Sequence, residues 1–237
     1  MYDEHAELYD LIYHFKDYKG ETKKIRKLIK KYKRSTGNKL LDVACGTGTH
    51  LKFLQEKFQC TGLDKSEQLL RIAKNKVKNA IFMKKDMLNM DLDEKFDVIT
   101  CLFSSINHVK TLSNLKRVLL NFYNHLYDGG IVIIEPFFTK ETYLAGTAHM
   151  TTYDGEDMKI ARLNISGLKE NIAYLKMHYL VAKSNDDVVY FTDLHELALF
   201  EIEDFLNVMN EIGFESQFLK KGLMKNRGLY IGIKPKD

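Results

Sequence analysis

Proline is almost missing from the chain. Of 237 residues only Pro136 and Pro235 are prolines, which excludes a proline-built catalytic loop anywhere else. Cysteine is scarce too: Cys45, Cys60 and Cys101 stand far apart with no Cys-x-x-Cys spacing, so neither a zinc knuckle nor a disulfide framework is written here. No apolar run approaches the ~20 residues of a membrane span. The acidic, polar start Met1-Tyr2-Asp3-Glu4-His5 lacks the basic flank and apolar run of a signal peptide. A reduced, soluble, cytoplasmic chain without a membrane partner is the expectation. A net charge of +4 is too small an excess to signal a nucleic-acid partner by itself. With 45% hydrophobic and 29% charged side chains the composition is globular, which excludes disorder, collagen and coiled coil.

What is present is a rhythm. Residues 21–34 hold Ile25, Leu28, Ile29 and Tyr32 at helical spacing, with lysines and arginines on the other faces; a solvated helix accounts for these, an RNA-docking face being the alternative. Leu40-Leu41-Asp42-Val43-Ala44-Cys45 then reads as a strand that breaks at Gly46-Thr47-Gly48 and enters a helix. Strands near 60–63, 81–83 and 96–103 end in Asp64, Asp86 and the polar loop Ser104-Ser105-Ile106-Asn107-His108. A helix around Leu112 to Phe122 follows, and Asp128-Gly129-Gly130 turns the chain into a fifth strand, Ile131 to Glu135. Alternation of this kind predicts an α/β fold with a doubly wound, mostly parallel sheet whose strand ends share one edge. Past Pro136 four β-rich runs, 147–153, 159–167, 172–182 and 188–200, are joined by short polar turns and predict an antiparallel meander. A helix at 201–212 capped by Gly213, with strands near 214–219 and 229–234, closes the chain. The expected organisation is a core of residues 1–136 plus 201–237, with 137–200 inserted after strand five as a layer roofing the active edge.

Gly46 and Gly48 allow a ligand close to the backbone, but the third glycine of a dinucleotide fingerprint would fall at Leu51, so that turn is weak evidence alone. Asp64, at the next strand end, suits the two hydroxyls of an unphosphorylated ribose, and Asp86, one strand further, suits an exocyclic amine of adenine. Each aspartate taken alone is equally a helix cap. No Gly-x-x-x-x-Gly-Lys-Ser/Thr string occurs, which rejects a P-loop.

The strings Asp42-Val43-Ala44-Cys45-Gly46-Thr47-Gly48-Thr49-His50-Leu51, Gly62-Leu63-Asp64 and Lys85-Asp86-Met87 resemble the nucleoside-binding motifs of class I S-adenosylmethionine-dependent methyltransferases. Along nearly the whole chain, Ala6-Glu7-Leu8-Tyr9-Asp10 with Tyr13, Lys16-Asp17-Tyr18, Phe103 to His108, Glu135-Pro136, Leu199-Phe200-Glu201 and Arg227-Gly228-Leu229-Tyr230 are similar to nucleotide-linked aminosugar N,N-dimethyltransferases of the desosamine and mycaminose type. Asn107 departs from an expected glycine, and Phe137-Phe138 from expected tryptophans. The resemblance implies a Rossmann-like sheet of seven strands and S-adenosyl-L-methionine as cofactor. It implies cofactor contacts from Tyr18, Asp42, Ala44, Gly46, Gly48, Asp64, Lys65, Asp86, Met87 and Phe103, with Asp42 near the amino group of the methionine tail. For the acceptor it implies Tyr9, Asn107, Phe137 and Arg227, the last facing a nucleotide diphosphate. His108 is implied as proton acceptor or orienting group, with Tyr13 lining the transfer site. Cys45 and Cys101 read as small packing residues. The expected partner is a small-molecule amine; no metal is expected, and a homodimer is left open. An RNA or protein methyltransferase would use the same cofactor site, but the Asn/Asp-Pro-Pro-Tyr and Pro-Cys motifs are missing. A cofactor-sensing regulator without catalysis is the remaining alternative.

Overall fold

A computed structural model describes residues 5–236. Its main sheet has seven strands in the order β10-β11-β5-β4-β1-β2-β3: β1 (Lys39–Val43), β2 (Gln59–Asp64), β3 (Ala80–Lys84), β4 (Phe96–Cys101), β5 (Leu126–Ile134), β10 (Glu215–Leu219) and β11 (Leu229–Ile233). The first five pair in parallel, and β11 runs antiparallel to both neighbours. The apolar runs of β1, β4 and β5 are the sequence cause, because a parallel sheet is covered on both faces and its strands need no polar alternation. Leu40 and Leu41 show this: adjacent in sequence, they project to opposite faces. Leu40, Val98, Ile131 and Ile133 pack with Ile25 and Ile29 of α2 (Tyr18–Tyr32) and with Leu51 and Leu54 of α3 (Thr49–Leu54). Leu41, Ile99, Val132 and Ile134 pack with Leu115, Val118, Leu119 and Phe122 of α5 (Leu112–Asn124) and Phe205 and Met209 of α6 (Ile202–Ile212).

Helix starts carry their own caps. Asp17 accepts from the Gly20 amide at 2.9 Å, Ser66 from Leu69 at 3.3 Å opening α4 (Glu67–Lys76), and Thr111 from Asn114 at 3.1 Å, each satisfying an amide that the helix leaves without a partner. Gly213 ends α6 at φ +111°, a conformation that favours glycine. One expectation is corrected. Asp128-Gly129-Gly130 is not a turn that precedes the fifth strand: β5 already begins at Leu126, and the register jumps from Phe96↔Leu126 to Val98↔Ile131. The glycines form a bulge, with Gly129 at φ +75°, whose carbonyl accepts from the Arg34 and Ser35 amides.

The second sheet is the expected meander, in the order β6-β7-β8-β9: β6 (Ala148–Asp154), β7 (Met158–Lys169), β8 (Ile172–Lys183) and β9 (Val189–Ala198). The turn read at Gly167 to Asn171 is tighter than expected, since the β7–β8 ladder continues to Lys169↔Ile172. Ile160, Met177, Tyr179 and Val181 on its inner face pack against Leu8 and Ile12 of α1 (Leu8–Ile12).

Candidate functional site

Strand order dictates where a ligand goes. From β1 the chain winds outward through β2 and β3, then returns to β4 and β5 on the other side, so connections leave β1 and β4 in opposite directions and open a crevice at their carboxyl ends. The backbone is bent hard there: Ala44 (φ +55°) follows β1, and Phe103 (φ +53°) and Ser104 (φ +67°) follow β4, all in the left-handed region without being glycine. Such residues cost of order 1–2 kcal/mol each and concentrate at functional sites.

A cavity of about 630 Å³ occupies this edge and continues up to the inner face of the second sheet, a volume typical of small-molecule sites. Of the residues singled out in the sequence, Tyr9, Tyr13, Ala44, Gly46, Asp64, Lys65, Asp86, Met87, Phe103, His108, Phe137 and Arg227 line it. Four do not form its wall. Asp42 is buried below the loop, its Oδ1 accepting from Thr100 Oγ1 at 2.6 Å. Gly48 packs behind that loop, where an added Cβ would sit 3.1 Å from Ala73 Cβ. Tyr18 stands edge-on to His50 at 4.9 Å between ring centroids. Asn107, expected to touch the acceptor, is only 1% exposed: its Nδ2 donates to the Ala198 carbonyl at 2.7 Å and its Oδ1 accepts from the Phe137 amide at 2.8 Å. It joins the β4 loop to β9 and to the segment after β5, and both ends of its amide are committed to backbone.

The floor is a carboxylate frame. Asp64 accepts from the Gly46 amide (2.8 Å, Oδ2) and the Ser66 amide (2.9 Å, Oδ1), with the Lys65 amide also bonding to it, and a carboxylate with four lone pairs still has accepting capacity for a ligand. Burial pushes its carboxyl above the usual range, against the pull of those amides. Burial likewise pushes Asp42 up to about 6, with Asp64 adding in the same direction and His50 and Thr100 opposing. Asp86 is exposed and caps a 3-10 turn through the Leu88 amide at 2.8 Å, so the bland reading of this aspartate and its place on the cavity coexist. At Gly46 (φ +55°) nothing lies within 4 Å of where a Cβ would project. This open cradle, backed by two buried carboxylates and rimmed by Phe103 and Tyr13 in edge-to-face contact at 4.9 Å, fits a nucleoside with a cationic amino-acid tail.

Lys16, Glu21 and Arg162, which the sequence did not single out as site residues, bring charge to the site beside Arg227 and His108, which it did. Lys16 donates to Glu21, which also receives His50 at 2.8 Å, and all three are buried; burial raises the Glu21 carboxyl, but the hydrogen bonds from His50 and Lys16 outweigh it and leave it below its ordinary value. The Lys16 ammonium lies 4.9 Å from the Phe103 ring, in cation–π range. From the roof, Arg162 donates to Tyr13 Oη and to Thr151 Oγ1, both at 3.0 Å, and its buried Nε has no partner among the described residues. Arg227 donates to Ser104 Oγ at 2.8 Å and lies 5.0 Å from the rings of both Phe137 and Phe138. Among the described residues neither guanidinium has a carboxylate within ion-pair distance. Glu135, fully buried, spends its oxygens on the Phe103 and Met224 amides. His108 is pushed down to about 4 by burial, with His195, Lys65 and Lys110 adding to the effect, so its ring is uncharged at neutral pH. Arg162 had one sequence signal: in β7 it alternates inward with Ile160, Asn164 and Ser166, making one face of a strand polar where a plain sheet would be apolar.

Comparison with known proteins agrees with this geometry. Residues 40–130 match the family model described as a methyltransferase domain. The chain is 32% identical over 98% of its length, and 99% of the relative's, to the dTDP-3-amino-3,4,6-trideoxy-alpha-D-glucopyranose N,N-dimethyltransferase of Streptomyces venezuelae. It superimposes on the crystal structure of DesVI from Streptomyces venezuelae with a TM-score of 0.91, 32% identity and coverage of 98% and 99% of the two chains. It also superimposes on an amino pentose methyltransferase of calicheamicin biosynthesis from Micromonospora echinaspora, solved with S-adenosylmethionine bound, with a TM-score of 0.83, 25% identity and coverage of 92% of each. The chain is a class I S-adenosylmethionine-dependent methyltransferase and belongs to the family of nucleotide-linked aminosugar N,N-dimethyltransferases.

Proposed function

We propose that this enzyme methylates the amino group of a nucleotide-linked aminosugar. The observation that carries the reading is the pair of guanidinium groups, Arg162 and Arg227, lodged in one cavity and, among the described residues, without a carboxylate at ion-pair distance. A largely enclosed cation without a paired counter-charge is costly, and an acceptor bearing a diphosphate would supply that charge in bidentate form. Bound S-adenosylmethionine supplies a methyl group on a sulfonium centre, open to in-line attack. On this reading Asp42, buried beneath the loop, acts on its ammonium end by its charge from below, while Asp64 faces its ribose hydroxyls and Asp86 with Met87 its adenine. The chain's task is mainly alignment, since a neutral amine needs no strong base once held in line. His108, uncharged at neutral pH, accepts a hydrogen bond from the amine N–H and so aims the nitrogen lone pair at the methyl. Tyr13, held by Arg162, and Phe103 wall the transfer site and keep water from the sulfonium.

The test is incubation with labelled cofactor and a panel of nucleotide-linked 3-aminosugars, the same sugars without the nucleotide, total RNA and cell protein. Label is expected in the nucleotide sugars, with kcat/KM at least tenfold lower for the bare sugars. Label in RNA or protein but in no small amine would sink the reading.

A further inference from the structure

Resting on the proposed function, we propose that Asn164 selects the acceptor by bonding a ring hydroxyl beside the amine, so that the substrate is an aminosugar that keeps a hydroxyl on a carbon next to the one bearing nitrogen. Asn164 is 7% exposed and lines the cavity, and among the described residues its side chain has no hydrogen-bond partner. A carboxamide carries two N–H donors and an accepting oxygen, and an enclosed amide left unpaired is costly. The other polar side chains on the inner face of β7 are engaged. Arg162 bonds Tyr13 and Thr151, and Ser166 Oγ accepts from the Thr147 amide at 3.1 Å and donates to the Leu144 carbonyl at 2.9 Å. Asn107 spends both ends of its amide on backbone, whereas Asn164 spends neither.

Strand register puts this amide beside the reacting end of the acceptor. Arg162, Asn164 and Ser166 follow one another along the inner face of β7, each about 7 Å from the next. The Arg162 end carries Tyr13. At the other end Ser166 pairs with Leu175 of β8, which pairs with His195 of β9, and the His195 ring centroid is 6.1 Å from that of His108. Asn164 therefore lies between the row that holds Tyr13 and the row that reaches His108, the two groups that flank the amine in the proposed function. Its cross-strand neighbours on this face are His149 and Met177; a thioether is only a weak acceptor, and His149 makes no bond to it.

A sugar hydroxyl suits what this amide offers. Its O–H donates to the amide oxygen, its own oxygen accepts from Nδ2, and no charge is brought into a place already served by two guanidinium groups. When the sugar ring enters, water leaves the amide, and the hydroxyl replaces it. A deoxy analogue drives off the same water and returns nothing, so the amide stays unpaired for as long as the analogue is bound. A site built to hydrogen-bond a substrate hydroxyl rejects the analogue lacking it far more strongly than an apolar pocket rejects a missing methylene. Arg162 and Arg227 remain for the diphosphate, so the sugar and its phosphates are recognised by different side chains.

The experiment measures kcat/KM for wild type, Asn164→Leu and Asn164→Ala on three nucleotide-linked 3-aminosugars, one with hydroxyls on both carbons flanking the amine and two lacking one or the other. Wild type is expected to prefer the parent sugar to at least one deoxy analogue by at least tenfold. Asn164→Leu, similar in size but without hydrogen-bonding groups, should bring that ratio to within about threefold of unity, and Asn164→Ala should do the same if leucine disturbs the sheet. Calorimetric binding of the same sugars to the enzyme loaded with S-adenosylhomocysteine should show the same preference and the same loss, which separates recognition from damage to the transfer step. Unchanged binding of S-adenosylhomocysteine shows that the variants are folded. A wild type that treats the parent and both analogues alike, or a preference that survives the substitutions, overturns the assignment while the proposed function stands. A wild-type enzyme that methylates none of these amines overturns that function and this inference with it.

Discussion

Asp42 makes cofactor binding and protein stability run in opposite directions with pH, and the size of the effect follows from its surroundings. With its carboxyl at about 6 in the folded protein and near 3.9 in an unfolded chain, the folded state holds more protons between about pH 4 and 6. Stability without cofactor therefore falls as pH rises through that window. The full difference of about two pKa units corresponds to about 3 kcal/mol. A cationic ammonium placed beside the ionised carboxylate reverses the preference, so binding expels the proton and affinity grows with pH. If the ammonium returns Asp42 to its ordinary value, the ionised fraction of the free protein sets the affinity, which rises about tenfold from pH 5 to pH 7. Asp64, also raised by burial, acts in the same direction, so the contribution of Asp42 is isolated by difference. Asp42→Asn keeps an acceptor for Thr100 and removes the titration. It should bind S-adenosylhomocysteine about 100-fold more weakly than wild type at pH 7, the factor that two pKa units of coupling correspond to, and about tenfold more weakly at pH 5. Calorimetric titrations at pH 5, 6 and 7, in two buffers of different ionisation enthalpy, measure both affinity and proton release. A wild-type affinity that is flat across this range, or a variant that keeps the wild-type slope, refutes the reasoning.

Asp64→Ala removes the amide hydrogen bonds as well as the ligand's carboxylate, and fluorescence titration should find cofactor affinity down at least tenfold with the fold retained by circular dichroism. Gly48→Ala should lower the melting temperature more than Gly46→Ala: both force alanine to positive φ, at about 1–2 kcal/mol, but only at residue 48 does the new methyl press on Ala73 at 3.1 Å. Arg227→Met should raise KM for a nucleotide-linked acceptor at least tenfold while leaving the dissociation constant of the cofactor within about twofold, as steady-state kinetics and calorimetry would show. Asn107→Ala should cost about 2–4 kcal/mol in urea denaturation, because it strands a buried carbonyl and a buried amide, and any loss of activity should appear in kcat before KM.

The strand-end half of the candidate site is legible because each of its parts is local. Asp42 lies within a short apolar run, and Gly46, Asp64 and Asp86 lie at or just beyond the ends of such runs, which read as strands; a parallel sheet brings strand ends to one edge without further instruction. Even there, strand pairing hides details: Asp128-Gly129-Gly130 has the composition of a turn, and only its pairing with Phe96 and Val98 shows a bulge. The acceptor half is different in kind. Tyr13, His108, Arg162, His195 and Arg227 come from five separate segments, and what brings them together is the docking of the second sheet through contacts such as Asn107 to Ala198, which no periodicity records. The family resemblance implies an acceptor contact at Asn107, yet a side chain amide beside a strand edge is as well suited to hold backbone as to hold substrate. Arg162 is the instructive opposite. Its inward place could be counted off along β7, but its significance depends on the lack, among the described residues, of a carboxylate at ion-pair distance, and such a lack is a property of three dimensions. Charges left unbalanced when the two sheets come together therefore point to the acceptor more directly than any motif in this chain.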